Sequence, residues 1–141
     1  DDYEAAAGAK RVDFDELVET SDVISLHVPL DRSTEKILSD REFSKMKPGA
    51  IVINACRGPV VDEVALIRAL DAGEIAGAGL DVTEIEPIET ANALMGRDNV
   101  VLLPHRAGVS VEAREKSVDS AVGNALRLMA GDDPKGIVLP V

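Results

Sequence analysis

Four short aliphatic runs recur along the chain: residues 23–28 (VISLHV), 50–55 (AIVINA), 75–82 (IAGAGLDV) and 99–103 (NVVLL). Each is too short for a buried helix and rich in aliphatic residues, and three are bounded directly by Pro29, Gly49 or Pro104, the pattern of a buried strand. Helical signals fill the intervals. Residues 14–20 follow Asp13, a candidate N-cap. Residues 39–46 open on Ser39 with Glu42 three positions later, a capping box, and stop at Pro48-Gly49. Residues 62–72 carry apolar side chains at 64, 66, 67 and 70 and close at Gly73. Residues 110–130 read as one long helix from Ser110 to Gly131, and the tail 132–141 reads as irregular. Strands buried on both faces and separated by helices predict an α/β fold with a doubly wound, mainly parallel sheet. Gly77 and Gly79 then suit close packing under a helix.

Such a core must be aliphatic, because Tyr3, Phe14 and Phe43 are the only aromatics while 45% of residues are hydrophobic. A chain of 141 residues is long enough for one domain that buries roughly 68–70% of its unfolded surface. The net charge of −11 lacks the basic footprint of a nucleic-acid binder and opposes anionic membranes. No apolar run approaches the roughly 18 residues of a membrane span, and no signal-peptide pattern opens the chain. Cys56 is the single cysteine, which excludes an internal disulfide and suits a reducing cytoplasm. No metal site is expected.

Ligands of open parallel sheets bind beyond the carboxyl ends of the strands, so the residues that follow each run carry the functional reading. After 50–55 comes Cys56-Arg57-Gly58-Pro59. An Arg beside a Gly can fork onto a carboxylate, or pair as a surface Arg with an acidic neighbour. Around the end of 75–82 stand Asp81, Glu84, Glu86 and Pro87. One of these carboxylates can orient a histidine, or the loop is simply acidic and solvated, the reading preferred for Glu84. After 99–103 comes Pro104-His105, placed for acid–base work on a carbonyl or an alcohol, though a lone His is commonly structural. His27 reads as cavity wall or backbone support, and Cys56 as a small packing residue. An Arg, a carboxylate and a His at three strand ends together suggest binding and reduction of a 2-keto acid. The Arg would hold the acid and polarise its carbonyl, the His would supply the proton, and the carboxylate would fix the imidazole tautomer.

The segments SDVISLHVPL (21–30), MKPGAIVINACRG (46–58), VDEVALIRALDAGEIAGAGLDV (61–82), Glu86-Pro87 and PHRAG (104–108) strongly resemble the D-isomer-specific 2-hydroxyacid dehydrogenases, over nearly the whole chain. The resemblance implies Arg57 as the substrate-binding arginine, Glu86 as the carboxylate partner and His105 as the acid–base group. For NAD it implies backbone contacts at Val28-Pro29 and at Ala55-Cys56-Arg57. Asp81 would hold the nicotinamide amide, and His105, Ala107 and Gly108 would border the ring. Asp1 would sit on the adenine ribose, in a turn formed with Asp2 and Tyr3, which favours NAD over NADP. The implied partners are a small 2-keto or 2-hydroxy acid and a second copy in a homodimer, with no nucleic acid and no membrane.

Three residues depart from the family pattern. Arg106 replaces an apolar residue, Pro59 replaces a second glycine and stiffens its loop, and Thr83 replaces an aromatic. The larger departure is the family's GxGxxG loop, which does not occur in these residues and is expected upstream of Asp1. Residues 1–141 are accordingly expected to be the C-terminal portion of an NAD-binding domain, a partial Rossmann-type sheet lacking its first two strands. Residues 1–109 would form sheet and helices, 110–130 the long returning helix, and 131–141 a tail toward the substrate domain. In the strand order 3-2-1-4-5-6, residues 23–28 are assigned to strand 3 and 50–55 to strand 4. This predicts a gap between them that must close or pair. The 141 residues alone are expected to be inactive. Two rival expectations are a sibling enzyme acting on formate or phosphonate, and a non-catalytic NAD-sensing or corepressor-like relative. Glu86 argues against formate, since those relatives carry Gln there.

Overall fold

The computed structural model describes residues 2–137. They form two compact units that divide after His105.

The first unit is built around a parallel sheet of four strands: β1 (Val23–Leu26), β2 (Ile51–Asn54), β3 (Gly77–Leu80) and β4 (Val100–Leu102). Each lies within its expected run and is shorter than it. Strand order along the sheet is β1-β2-β3-β4, and Leu26, Asn54, Leu80 and Leu102 stand in register at the carboxyl edge. The expected gap between residues 23–28 and 50–55 does not exist. β1 bonds directly to β2, with Val23 opposite Ile51, so the assignment of 23–28 to strand 3 is wrong. The open edge on this side is the outer edge of β1.

The helices are α1 (Asp2–Ala7), α2 (Phe14–Thr20), α3 (Asp40–Phe43) and α4 (Glu63–Ala72). Asp2 and Tyr3, expected in a turn, lie in α1, and Asp1 lies outside the described residues. Asp13 caps α2 by accepting the Glu16 N–H at 2.8 Å. At α3 the Glu42 carboxylate accepts from the Ser39 N–H at 3.1 Å and the Ser39 hydroxyl at 2.8 Å. Asp62 caps α4 through the Ala65 N–H at 3.0 Å, and Gly73, at φ 69°, ends it in the left-handed region that suits glycine. Arg68 of α4 forks onto Asp40 of α3 with bonds of 2.7–3.0 Å, where the two helices pack together.

The core fills one side of the sheet. Ile24, Leu26, Val52, Asn54, Ala78 and Leu80 point into it, alongside Val18, Leu38, Phe43, Leu66, Ile75 and Leu94. Each large apolar side chain buried there contributes about 1.5–3 kcal/mol. The opposite face departs from the expectation of two-sided burial: Val23 is 53% exposed and Val101 64%, with Ile51 and Ile53 also exposed. An aliphatic run shows that both faces suit burial, not that both are covered. Gly77 also differs from expectation. A Cβ there would stand 2.7 Å from the Asn99 carbonyl oxygen, so its tight neighbour is the backbone entering β4.

The second unit holds α5 (Val111–Ala130), which buries none of its residues. Ser110 caps it through the Ala113 N–H at 3.1 Å, and Gly131 closes it at φ 81°. The segment that follows folds back along the helix. The Lys135 N–H donates to Asn124 at 2.8 Å and Arg127 Nε donates to the Asp133 carbonyl at 2.7 Å. Among the described residues no helix is long and apolar enough to cross a membrane, and no cluster of residues could hold a metal ion.

Candidate active site

The level carboxyl edge of the sheet delivers the chemistry. β2 ends at Asn54, a polar residue only 1% exposed, and its side chain shapes the turn that follows. Asn54 Nδ2 donates to the Arg57 carbonyl at 3.0 Å, and its Oδ1 accepts from the Cys56 N–H at 3.1 Å and the Cys56 thiol at 3.2 Å. Burying an amide is costly unless its groups are bonded, and here both ends are. Residues 58–60 then make a 3-10 turn containing Pro59. Gly58 has no alternative at its position, since a Cβ would fall 1.9 Å from the Thr83 carbonyl oxygen.

This bracing presents Arg57 at the surface. Its Nη1 donates to the Cys56 carbonyl at 2.6 Å. Among the described residues no carboxylate is within ion-pair distance of Arg57, so the reading of a surface arginine paired to an acidic neighbour does not hold. Arg57 and Cys56 line a cavity of about 630 Å³ with His27, Val28, Pro29 and Leu30 from the end of β1. Ala55 is exposed beside it. Ser25 Oγ lies 2.8 Å from His27 Nε2, and the Pro29 carbonyl accepts from the Thr34 hydroxyl at 2.6 Å.

A second cavity, of about 360 Å³, lies beyond β3 and β4 and is lined by Asp81, Thr83, Glu86, Ile88, Leu103, His105 and neighbouring residues. His105 Nδ1 lies 2.8 Å from Glu86 Oε2. The second Glu86 oxygen accepts from the Thr83 N–H at 3.2 Å. The bond from His105, with help from Thr83, outweighs partial burial and the nearby Asp81 charge and holds the Glu86 carboxyl below its ordinary range. His105 takes φ 54°, a left-handed conformation that costs a non-glycine residue energy and is found at functional sites. Its backbone is held by a 2.8 Å bond from its N–H to the Asp81 carbonyl. Asp81 itself is 5% exposed.

The structure thus joins Glu86, His105 and Asp81 in one cavity and Arg57, Cys56, Val28 and Pro29 in another, both at the same sheet edge. Ala107 and Gly108 belong to the second unit, in the turn before α5 closed by the Val109 N–H to the Arg106 carbonyl at 2.9 Å. Glu84 is not solvated as expected. Its carboxylate accepts from the Glu63 N–H at 3.1 Å. Asn54 and Glu63 were not singled out from the sequence. Asn54 carries one usable signal, a lone amide in an aliphatic strand.

The residues present suit the nicotinamide half of a dinucleotide. A buried carboxylate can accept from its amide, and an apolar wall adjoins an imidazole already oriented by a carboxylate.

Comparison with known proteins gives a consistent result. The family described as "D-isomer specific 2-hydroxyacid dehydrogenase, NAD binding domain" matches residues 1–107. A glyoxylate reductase of Thermofilum pendens is 44% identical over 126 residues, covering 89% of this chain and 37% of that protein. A D-lactate dehydrogenase solved with NAD+ from Lactobacillus jensenii superposes with a TM-score of 0.84 at 34% identity, over 92% of this chain and 43% of that one. An acyclic imino acid reductase solved with NADPH and D-Arg gives 0.85 at 42% identity, over 94% and 42%. The chain therefore spans about two-fifths of the length of the relatives it matches, 37% and 42% for the first two.

Proposed function

Because the chain belongs to the D-isomer specific 2-hydroxyacid dehydrogenase family, we propose that the complete protein interconverts a 2-keto acid and a D-2-hydroxy acid with NAD(H). The observation that carries this reading is the 2.8 Å pair between His105 Nδ1 and the Glu86 carboxylate, set at the same sheet edge as an arginine that has no carboxylate partner among the described residues.

Each residue has a role that follows from its chemistry. Arg57 forks onto the substrate carboxylate and draws electron density from the adjoining carbonyl. Glu86 holds the proton of the neutral imidazole on Nδ1 and stabilises its charged form, so that Nε2 of His105 gives a proton to the developing alkoxide or takes one from the alcohol. When bound, the nicotinamide supplies or accepts the hydride. Asp81 accepts from its amide and fixes its orientation. The backbone at Val28, Pro29, Ala55 and Cys56 would border the cofactor. Leu102, Leu103 and Ile88 supply an apolar wall beside the Glu86 and His105 pair.

Residues 1–109, 110–130 and 131–141 are read as nucleotide-binding layer, returning helix and tail toward a substrate domain. The pyrophosphate of a dinucleotide needs a ring of backbone N–H groups at a helix N-terminus, and the glycine loop that supplies one is not among these 141 residues. By themselves they should therefore bind NAD weakly and turn over nothing. Micromolar NAD binding to them by calorimetry overturns that part. The main test assays the complete protein with NADH against glyoxylate, hydroxypyruvate and pyruvate, and against 2-imino acids because of the likeness to the imino acid reductase. Absence of turnover with all of them refutes the reading.

A further inference from the structure

Residues 83–99, between β3 and β4, carry Glu86 without any backbone ladder to hold them. Side chains must set their position: Leu94 is buried in the core, Arg97 Nη1 pairs with Asp71 Oδ1 at 2.8 Å near the end of α4, and the bonds nearest Glu86 converge on the start of α4. The Glu63 N–H is among the donors that a helix leaves without an intrahelical partner. It donates to Glu84 Oε1 at 3.1 Å, and the Glu84 N–H returns the bond to Glu63 Oε2 at 3.1 Å. The other Glu63 oxygen accepts from the Asn92 amide at 2.7 Å. Lys36 Nζ stands 3.8 Å from Glu84 Oε1 and 3.1 Å from Asp62 Oδ2. The cation and the positive end of the helix together counter the clustered carboxylates. The Glu86 segment is thus pinned at residues 84 and 92, on either side of Glu86, to one helix end. The same helix follows directly on the Arg57 turn, whose Gly58 lies against Thr83.

We propose that Glu63 and Glu84 form a positioning clamp that sets the Glu86 loop at the height where its carboxylate meets His105 and fixes that pair relative to Arg57. Neither residue faces the reacting atoms, and both act through Glu86. With the clamp released, the segment is free to lift, Glu86 leaves Nδ1, and the imidazole loses its enforced tautomer.

The kinetic arm of the test rests on the function proposed above, whereas the spectroscopic arm does not. The complete protein, labelled with 15N, is examined as wild type, Glu84→Ala and Glu84→Gln, with the His105 ring signals assigned by their loss in His105→Gln. Wild-type neutral His105 should carry its proton on Nδ1. In Glu84→Ala a large share should move to Nε2, the tautomer a free imidazole prefers. The kcat/KM for the 2-keto acid should fall about tenfold, with KM for NADH unchanged. Glu84→Gln keeps an oxygen for the Glu63 N–H and should restore both readouts. The His27 ring, bonded to Ser25, should stay constant throughout. If Glu84→Ala does not fold, Asn92→Ala, which removes one bond to Glu63, should give the same change at smaller amplitude. A folded Glu84→Ala with an unchanged His105 tautomer overturns the clamp, as does a Glu84→Gln that behaves like Glu84→Ala or an Asn92→Ala without effect. Failure of the wild type to reduce any 2-keto acid refutes the function and leaves the tautomer result to decide the clamp.

Discussion

The Arg57 turn and the Glu86 loop follow neighbouring strands of one sheet, yet they are held in opposite ways. At Arg57 the backbone is fixed, by the Asn54 amide beneath it and by Gly58 against Thr83, while among the described residues the guanidinium bonds only to the preceding carbonyl. At Glu86 the backbone has no ladder, and the side chain is engaged at both oxygens, by His105 and by the Thr83 N–H. One arm presents a charge without an acidic partner among the described residues. The other presents a charge already paired. The first suits capture of an anion that arrives from outside, and the second suits a proton donor that must be oriented before the substrate comes.

The contrast can be broken at several points. The largest effect is expected for His105→Ala in the complete protein, where kcat should drop by roughly 10²–10⁴ while carboxylate binding persists; an equal loss in KM would mean that the two arms are not separate. Gly58→Ala should come next. A methyl group cannot share space with the Thr83 backbone, so urea denaturation should show a loss of about 1–3 kcal/mol, and wild-type stability there would mean that the two loops do not touch. Arg57→Lys replaces a planar fork by a point charge. It should raise KM for the keto acid about tenfold while leaving kcat within a few-fold, and the reverse pattern would assign Arg57 to the chemical step alone.

The smallest effect concerns pH. Glu86 is held below its ordinary range in the folded state, so it contributes stability that is present above its unfolded value and is lost as pH falls through its folded value. Its side chain is more than a third exposed, which limits the contribution to at most about 1 kcal/mol. The Tm difference between wild type and Glu86→Gln should therefore be present at neutral pH and vanish below the ordinary carboxylate range. A difference that grows on acidification would reverse the sign of the argument.

What was legible in the sequence was what local chemistry decides. Asp13, Ser39 and Ser110 start helices because an N-cap or capping residue acts within three residues, and Gly73 and Gly131 end them because only glycine takes their backbone angles cheaply. Arg57 and His105 stand out because they follow strand ends, the edge at which parallel sheets bind ligands, whereas Glu86 is singled out among the acidic residues of its loop through the family resemblance. What was not legible depends on partners distant in the chain. Glu84 looked like one more acidic loop residue until Glu63, 21 positions earlier, supplied its donor. Gly77 needs no side chain because of Asn99, not because of a helix. The place of β1 was misread because an aliphatic run records burial but not its neighbour, and the borrowed strand order put absent strands between two that bond directly.

That direct bonding has a consequence for how the molecule is made. Strand order in space repeats strand order in the chain, so each strand docks on the one completed just before it. Each docking closes a crossover of about twenty residues, and the cost of closure rises only slowly with loop length. As the chain leaves the ribosome, the sheet can grow one strand at a time. The β4 edge, with the His105 corner that follows it, is then the last part of the sheet to assemble, and the segment bearing Glu86 is already synthesised when its imidazole partner emerges.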